Sequence, residues 1–432
     1  MMRPALIFAA VMALLSAIGL AQAVASVPHP AVVSENPADQ TPHVRGDLVE
    51  PRPKVLALAR QGSTMYAGGI FHSVQDASGG QPLTRLNLMS FDASSGAVSN
   101  FAPMIEGPNA AVWALAATSS ALYVAGRFAT VDGVERPNLV KIDLETGTVD
   151  ASFNAPSVGS GRATEVRLVE GRLIVAGSFP RKLIALDPDT GTGTGYLRAT
   201  IAGSVSGDDG PPTEVYRFAV DPDRSRLVAV GNFTSVNGQP RKRAFMLNLP
   251  DTTASLNNWY YPPLGRLCQA SNPDKFAYLR DVDFSPAGQY FVLVSTGFVP
   301  RTTDGIGRDL CDAAARFETD IREPERPTWI NYTGGDTLQS VAATGATVYV
   351  QGHQRWMDNP YGRNDAGPGA VERRGIAALD PVDGQALPWN PTNRGAQGGK
   401  DFLATPEGLW VGSDSLTFNG EDHQGIAFAP LP

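Results

Sequence analysis

The chain has 432 residues, of which 42% are hydrophobic and only 18% are charged, and its formal net charge is −8. An acidic chain lacks the basic face that nucleic-acid binding requires, so the composition argues against a DNA or RNA partner. The 45 glycines and 34 prolines favour short strands joined by tight turns.

The first 25 residues have the features of an export signal. Arg3 precedes an apolar stretch at 4–20, and small residues suited to cleavage follow around Ala23 and Ala25. The stretch approaches the shortest length that spans a bilayer, so a retained anchor is the alternative. We predict a signal peptide at 1–25, no membrane span after cleavage, and a secreted or periplasmic protein.

Seven variants of one strand motif occupy the rest of the chain. They are MYAGGIF at 65–71, LYVAGRF at 122–128, LIVAGSF at 173–179, LVAVGNF at 227–233, FVLVSTGF at 291–298, VYVQGH at 348–353 and LWVGSDS at 409–415. A period of about 50 to 65 residues with strand chemistry in every copy indicates a radial or stacked β architecture.

The second copy shows the content of one repeat. Its predicted strands lie at 111–118, 122–128, 138–144 and 148–153, with turn residues at each junction. Seven sequential four-stranded units predict a seven-bladed all-β propeller over 54–432, each blade antiparallel. A β-helix or solenoid is the alternative, but its repeats are usually shorter.

The two ends of the chain predict how the ring closes. The last copy contains three strands and then the chain ends at Pro432. The N-terminal arm at 26–53 can supply the missing outer strand, from 31–34 or from 43–48. Such a closure ties the termini together and removes an open sheet edge.

Several residues recur in most copies, and recurrence favours a scaffold role. Arginines precede the end of the third strand at Arg85, Arg136, Arg241 and Arg373. An aromatic residue recurs near a proline at Phe101, Phe153 and Trp389, with Trp259 and Trp329 in similar places. We interpret the arginines as blade-edge hydrogen-bond donors; rings of bound ions are the functional alternative.

Two segments resemble a known repeat. YVAGRFATVDGVERPNLVKIDLETGTVDASFNAP at 123–156 and VAVGNFTSVNGQPRKRAFMLNL at 228–249 are similar to the bacterial delta-60-type propeller repeat. Related repeats occur in a fungal cell-surface polarity marker. The resemblance implies a secreted propeller. It implies no shared activity, so no catalytic residue is carried over.

Copies five and six have the longest loops, and these hold the candidate ligand-binding residues. The loops lie at 257–275, 300–312 and 354–374. Aromatic and arginine side chains on long loops are typical binding anchors. The candidates are Trp356, Arg355, Tyr361, Arg363, Trp259 and Tyr260. Loops that only cover the ring are the alternative.

The two cysteines, Cys268 and Cys311, fall in two loops of the same copy. Export favours a disulfide between them, and two free thiols are the alternative. His72, His353 and His423 are weak candidates for a divalent-metal site on blades that become neighbours when the ring closes. Their spacing is not a ligand motif, so we predict no cofactor.

The chain lacks a nucleophile elbow, a zinc-protease motif and a P-loop. We therefore expect a monomeric, non-enzymatic binding or scaffold protein that presents the loops of blades five to seven to a protein, glycan or cell-envelope ligand. The alternative is a propeller enzyme, such as a lyase, glycoside hydrolase or metal-dependent lactonase-like hydrolase. It would need carboxylates, histidines or a metal converging at the axial mouth.

Overall fold

The computed structural model describes residues 27–45, 52–205, 211–266, 268, 277–299, 303–394 and 398–432. Their regular structure is all β apart from short 3-10 helices at Pro156–Val158, Pro262–Gly265 and Thr303–Gly305. Among these residues no helix is long and apolar enough to cross a membrane. The signal peptide predicted at 1–25 lies outside the described residues.

Seven larger antiparallel sheets follow one another along the chain, and we number them 1 to 7. Each starts with an inner strand, which pairs with the second strand, which pairs with the third. The strands are Lys54–Gln61, Thr64–Ile70 and Leu88–Asp92 in sheet 1; Ala111–Ala117, Ala121–Arg127 and Leu139–Asp143 in sheet 2; Ala163–Val169, Arg172–Gly177 and Leu183–Leu186 in sheet 3; Glu214–Val220, Arg226–Asn232, Ala244–Asn248 and Ser255–Leu256 in sheet 4; Leu279–Phe284, Tyr290–Ser295, Ala313–Glu318 and Trp329–Tyr332 in sheet 5; Leu338–Ala343, Val348–Gly352 and Ile376–Leu379 in sheet 6; and Gly399–Thr405, Gly408–Ser413 and Ile426–Pro430 in sheet 7.

The predicted fourth strand is a regular strand only in sheets 4 and 5. In four other sheets the third strand pairs with the following segment through one bridge, at Phe91–Val98, Ile142–Val149, Leu186–Gly193 and Leu379–Ala386. In sheet 7 the N-terminal arm bonds to the third strand: Ser34 N donates to Pro430 O at 2.7 Å, and Ala38 N donates to Phe428 O at 2.8 Å. The sheets therefore have three or four strands.

Five smaller sheets lie outside the large ones; each contains segments of a loop between a second and a third strand, and four also contain a segment from the N-terminal arm or from the connection between two large sheets. Their members are His43–Arg45, Ser73–Gln75 and Leu83–Thr84; Ile105–Glu106, Thr130–Val131 and Val134–Glu135; Ile201–Ala202, Ser235–Val236 and Gln239–Pro240; Trp356–Met357 and Val371–Glu372; and Asn393–Arg394, Thr417–Phe418 and Glu421–Asp422. His43–Arg45 thus pairs with a loop of sheet 1 and not with the outer edge of sheet 7. Two segments of the arm were predicted to complete sheet 7. Of these, 31–34 is the one that contacts sheet 7 through Ser34.

The inner strands pack in a cyclic order. Each contacts the inner strand of the next sheet, and the inner strand of sheet 7 contacts that of sheet 1. Seven separate hydrophobic clusters fill the spaces between consecutive sheets, including the space between sheets 7 and 1. A sheet buries both faces only through its neighbours, so the stability of each sheet depends on two others.

The recurring arginines bind backbone carbonyl groups at the outer edge of their sheets. Arg85 Nη2 donates to Ser99 O at 2.6 Å, and Arg136 Nε donates to Phe153 O at 3.1 Å. The corresponding bonds elsewhere are Arg241 Nη2 to Asn257 O at 3.3 Å and Arg373 Nε to Leu387 O at 3.1 Å. The interpretation of these arginines as scaffold residues is confirmed.

Every inner strand contains a β-bulge near its start. The register against the second strand shifts after Val55, Val112, Ala163, Val215, Leu279, Leu338 and Gly399. The extra residues are Leu56, Trp113, Thr164, Tyr216, Arg280, Gln339 and Lys400. A bulge redirects side chains, and bulges are common beside functional sites.

The bulge explains the glycine of the repeated motif. A Cβ placed on Gly69 would lie 2.0 Å from the carbonyl oxygen of Lys54, and a Cβ on Gly126 would lie 2.1 Å from that of Ala111. Backbone atoms cannot move aside as a side chain can, so a Cβ does not fit at Gly69 or Gly126. Sheets 5 and 7 have Ser295 and Ser413 at this position instead.

We expect Gly126→Ala to lower the free energy of unfolding by about 1–3 kcal/mol, the usual cost of overpacking a tightly packed position. Gly193→Ala is the matched control, because its Cβ would meet only Ile184 Cδ1 at 3.7 Å, an ordinary contact. Urea unfolding of both variants measures the difference. Equal stability of the two variants would contradict the steric explanation.

Candidate functional site

The loop of sheet 6 presents most of the predicted ligand-binding residues. Arg355 donates from Nε and Nη2 to the two carboxylate oxygens of Asp336, at 2.9 and 3.0 Å. Its guanidinium also lies 4.3 Å from the ring centroid of Trp356. Tyr361 is 56% exposed and Arg363 is exposed beside it. These contacts fix Arg355 and Trp356 and leave Tyr361 at the surface.

A buried asparagine orders this loop from inside. Asn359 is fully buried, and its Nδ2 donates to Thr333 O at 3.1 Å and to Asp365 O at 2.8 Å. Its Oδ1 accepts from Gly367 N at 2.8 Å. A Cβ on Gly334 would lie 1.9 Å from Asn359 Nδ2, so the backbone packs directly around the amide. The exposed side chains are therefore held on a preordered loop, which lowers the entropy lost on binding.

The candidates in sheet 5 divide into one surface residue and one core residue. Trp259 is fully buried between sheets 4 and 5, with its ring 5.3 Å from Phe291 and 5.7 Å from Phe317. Its prediction as a ligand anchor is therefore corrected: it packs in the core, as an aromatic residue at a recurring position should. Tyr260 is half-buried, with Arg241 stacked over its ring at 5.2 Å.

The predicted disulfide is present. Cys268 and Cys311 are bonded, with their Cα atoms 5.7 Å apart, and both are buried with Ala277 in a small cluster of their own. Nearby, the Tyr332 hydroxyl accepts from Gly307 N at 3.0 Å. The bond thus joins two loops of sheet 5.

The three candidate metal ligands have different environments. His72 and His353 are exposed, and His353 Nε2 accepts from Thr337 N at 3.3 Å. His423 is buried, with its Nδ1 2.7 Å from Thr41 Oγ1, and burial lowers the pKa of its imidazole. In the part of the chain that the structure describes, no three His, Cys, Asp or Glu residues are grouped as metal ligands.

A group of side chains at the bulged ends of the inner strands was not predicted. We call it the bulge cluster; it contains Trp113, Arg162, Glu214, Tyr216, Tyr278, Arg280 and Lys400. All are half-buried except Glu214, which is fully buried. The cluster draws on the inner strands of sheets 2, 3, 4, 5 and 7 and on the residues just before them.

Contacts link the cluster from one sheet to the next. Arg162 Nε donates to Glu214 at 2.6 Å, and its guanidinium lies 5.4 Å from the ring of Trp113. Tyr216 and Tyr278 meet edge to face at 6.1 Å. The guanidinium of Arg280 lies 5.7 and 5.5 Å from these two rings. Cations held against aromatic faces keep their charge while part of their surface is buried.

Below the bulges lies a second charged group around Arg217. Its Nη1 donates to Glu165 at 2.7 Å and to the carbonyl oxygens of Trp113 and Thr164 at 3.1 and 3.2 Å. The positive charge of Arg217 also attracts Asp281 and Asp401 from sheets 5 and 7. We call Glu165, Arg217, Asp281 and Asp401 the Arg217 group.

The carboxylates of this group tie neighbouring inner strands together. Asp281 Oδ2 accepts from Val341 N at 3.0 Å, and Asp401 Oδ2 accepts from Leu58 N at 2.7 Å. Burial raises the pKa of Asp281 and of Asp401 to about 7, although the charge of Arg217 opposes the rise. Each aspartate is therefore partly protonated near neutral pH and is engaged with the backbone of the next sheet.

The Arg217 group forms one end of a cavity of about 830 Å³ between the inner strands. Other walls come from small and apolar residues that follow the bulges, including Ala116, Leu168 and Ala342. Pro28 and Glu407 lie at its far end. The cavity and the bulge cluster are thus on opposite sides of Arg217.

The sequences of the inner strands already signal these charges. Inner strands read as small and apolar in copies one and two, but TEVRLV at 164–169, VYRFAV at 215–220 and LRDVDF at 279–284 carry charges. A charged residue in a strand that neighbours enclose is rare without a partner. Charged residues that occur in the inner strand of one copy but not in the others are therefore candidates for a site where the inner strands meet.

Comparison with known proteins indicates a β-propeller domain. Residues 122–153 match a family described as "Domain of unknown function (DUF5122) beta-propeller". The match supports a β-propeller repeat family, whereas the resemblance to delta-60-type repeats and to the fungal marker stays a prediction. No curated protein matches the chain.

One of the solved structures that match the chain is the crystal structure of the computationally designed Ika8 protein. It shares 10% sequence identity, the alignment covers 90% of this chain and 98% of that one, and the TM-score is 0.47.

Proposed function

We propose that the chain is an exported, monomeric seven-bladed β-propeller that binds a protein, glycan or cell-envelope ligand through loops of sheets 5 to 7. The domains would be a signal peptide at 1–25, an arm at 26–53 and the propeller at 54–432. The cyclic packing of seven sheets supports the blade count. The bonds from Ser34 and Ala38 to sheet 7 support closure by the arm.

The observation that carries the binding proposal is the preordered loop of sheet 6. Most long loops lose conformational freedom on binding, but Asn359 already fixes this one. The loop exposes Tyr361 and Arg363 beside the stacked Arg355 and Trp356. Tyrosine, tryptophan and arginine dominate binding hot spots. The disulfide between Cys268 and Cys311 is consistent with export to an oxidising compartment.

Tyr361→Ala is expected to weaken binding about tenfold, the effect of removing one hot-spot side chain. The probes are a glycan microarray and purified peptidoglycan sacculi, scored against the wild-type chain. Val382→Ala is the matched control, because Val382 is 74% exposed in the same sheet but lies in the turn after the third strand. Equal binding by both variants and the wild type would contradict the proposal. No binding by the wild type would exclude the glycans on the array and peptidoglycan as ligands.

An enzyme remains the second candidate because carboxylates converge at the axial cavity. Asp281 and Asp401 titrate near neutral pH, as a general acid must. Their bonds to Val341 and Leu58 favour a structural role instead. Turnover of chromogenic glycosides or lactones that is lost in Asp281→Asn would favour the enzyme; we expect no turnover.

A further inference from the structure

The bulge cluster concentrates positive charge in an acidic protein. Arg162, Arg280 and Lys400 are members, and the charge of Lys54 acts on Lys400. The chain as a whole carries −8. Glu214, the one acidic member, is engaged by Arg162. We propose that the bulge cluster is a binding site for a small ligand that carries a carboxylate or phosphate group. This site is separate from the loop surface of sheet 6, so a test of one does not decide the other.

Arg280 has the environment of an anion-binding residue. Among the described residues its guanidinium contacts the rings of Tyr216 and Tyr278 and forms no ion pair, although the charge of Glu214 attracts it. Its Nε is buried without a hydrogen-bond partner. Nε itself is closed off from solvent, but Arg280 as a whole is only half-buried, so an oxyanion would bind at the exposed part of its guanidinium.

Lys400 adds a second cation from sheet 7, two sheets beyond that of Arg280. It is half-buried. Asp414 attracts it, whereas Lys54, Arg280 and Arg217 repel it. Burial and this repulsion lower the pKa of Lys400 to about 8. An anion between Lys400 and Arg280 would relieve the repulsion between them.

The aromatic members narrow the ligand class. Trp113, Tyr216 and Tyr278 are half-buried, so part of each ring faces solvent beside the cations. Sites that combine apolar ring surface with a few fixed charges suit small organic molecules better than bare ions. The bulge residues Thr164 and Gln339 lie at the same level of the inner strands, where the Thr164 hydroxyl donates to Val215 O at 2.7 Å and can still accept a hydrogen bond. A sugar acid has this combination of apolar ring face, hydroxyl groups and carboxylate.

The test is titration calorimetry of the mature, disulfide-bonded chain with galacturonate, galactose and inorganic phosphate. Galacturonate and galactose differ in the carboxylate, so we expect galacturonate to bind at least tenfold more tightly. Phosphate should compete with it. Whichever of the two anions binds more tightly shows whether the site prefers a carboxylate or a phosphate group. Failure of both anions to bind, or equal binding of galacturonate and galactose, would overturn the proposal.

Arg280→Gln and Lys400→Gln should each weaken binding of the anion at least tenfold. Arg172→Gln is the matched control, since Arg172 stacks over Tyr196 at 4.2 Å and is not in the bulge cluster. Thermal unfolding of each variant shows whether it is folded. If one variant is not folded, the affinity of the other variant tests the proposal. Unchanged affinity in a folded Arg280→Gln or Lys400→Gln would contradict the assignment.

Affinity should also depend on pH. A bound anion favours charged Lys400, so binding is strongest below pH 8 and weakens by up to tenfold per pH unit above it. Asp414, Lys54, Arg280 and Arg217 are the charged groups that face Lys400. The Lys400→Gln variant should show no such decline between pH 8 and about 9.5. If affinity declines in the same way in Lys400→Gln, the pH dependence must come from a titratable group other than Lys400.

Discussion

Arg217→Met should lower the free energy of unfolding by about 2–4 kcal/mol at pH 8. Removing one partner of a buried ion pair leaves the other charge uncompensated, which usually costs about 3–5 kcal/mol. We expect somewhat less here, because 19% of the Arg217 side chain is exposed. The uncompensated groups would be Glu165 and Asp281, together with Asp401 from sheet 7. Urea unfolding at a series of pH values measures the effect.

The cost of this substitution should fall at lower pH. Asp281 and Asp401 have raised pKa values of about 7 in the folded protein, against the ordinary value of 3.8. The folded state therefore binds more protons than the unfolded state between about pH 4 and pH 7, so these groups favour folding as the pH falls through that window. Without Arg217 their pKa values rise further, so protonation offsets more of the loss at pH 5 than at pH 8.

Arg226→Met is the matched control for Arg217→Met. Arg226 lies in the same sheet, and its partner Asp320 is 86% exposed, so this surface pair should contribute at most about 1 kcal/mol. A loss below 1 kcal/mol for Arg217→Met, or a loss that is larger at pH 5 than at pH 8, would contradict our interpretation of the Arg217 group.

Replacing Cys268 and Cys311 together by serine should lower the free energy of unfolding by about 4 kcal/mol. The bond closes a loop of 43 residues, and the chain-entropy treatment assigns about that value to a loop of this size. The loss should appear in urea unfolding without reductant. It should also appear when the wild type is reduced, because both changes free the same loop.

Two controls make this result interpretable. Reductant should not alter the stability of the double serine variant, and intact-mass measurement of the wild type should show the gain of two hydrogens on reduction. A loss below about 1 kcal/mol would show that Cys268 and Cys311 contribute little beyond local packing with Ala277.

The repeat could be predicted because its residues serve the same purpose in each copy. Gly126 and Arg136 illustrate this: one fits opposite a bulge and the other binds a backbone carbonyl group. The same rule applied to Trp259 would have placed it in the core, since it stands where Phe153 and Trp389 stand and both are buried. Its place in a long loop suggested a binding role that its packing does not support.

The bulge cluster could not be predicted from hydrophobic alternation. A bulge adds one residue and shifts the alternation by one, but the short segment VYRFAV at 215–220 still reads as an ordinary strand. Only the pairing of Val215 with Gly231 and of Arg217 with Val230 shows that Tyr216 is extra. The partners of Arg280 and Lys400 depend on which inner strands meet, which is a property of the tertiary fold.

The central claim is that the inner strands of sheets 4 and 7 face each other across one axis. A double-mutant cycle on Arg217→Met and Asp401→Asn measures this most directly, since the two residues are 184 positions apart and belong to sheets that are not consecutive in the chain. At pH 8 we predict a coupling energy of at least about 1 kcal/mol, with the double variant more stable than Arg217→Met alone. Additive losses within about 0.5 kcal/mol would contradict that arrangement.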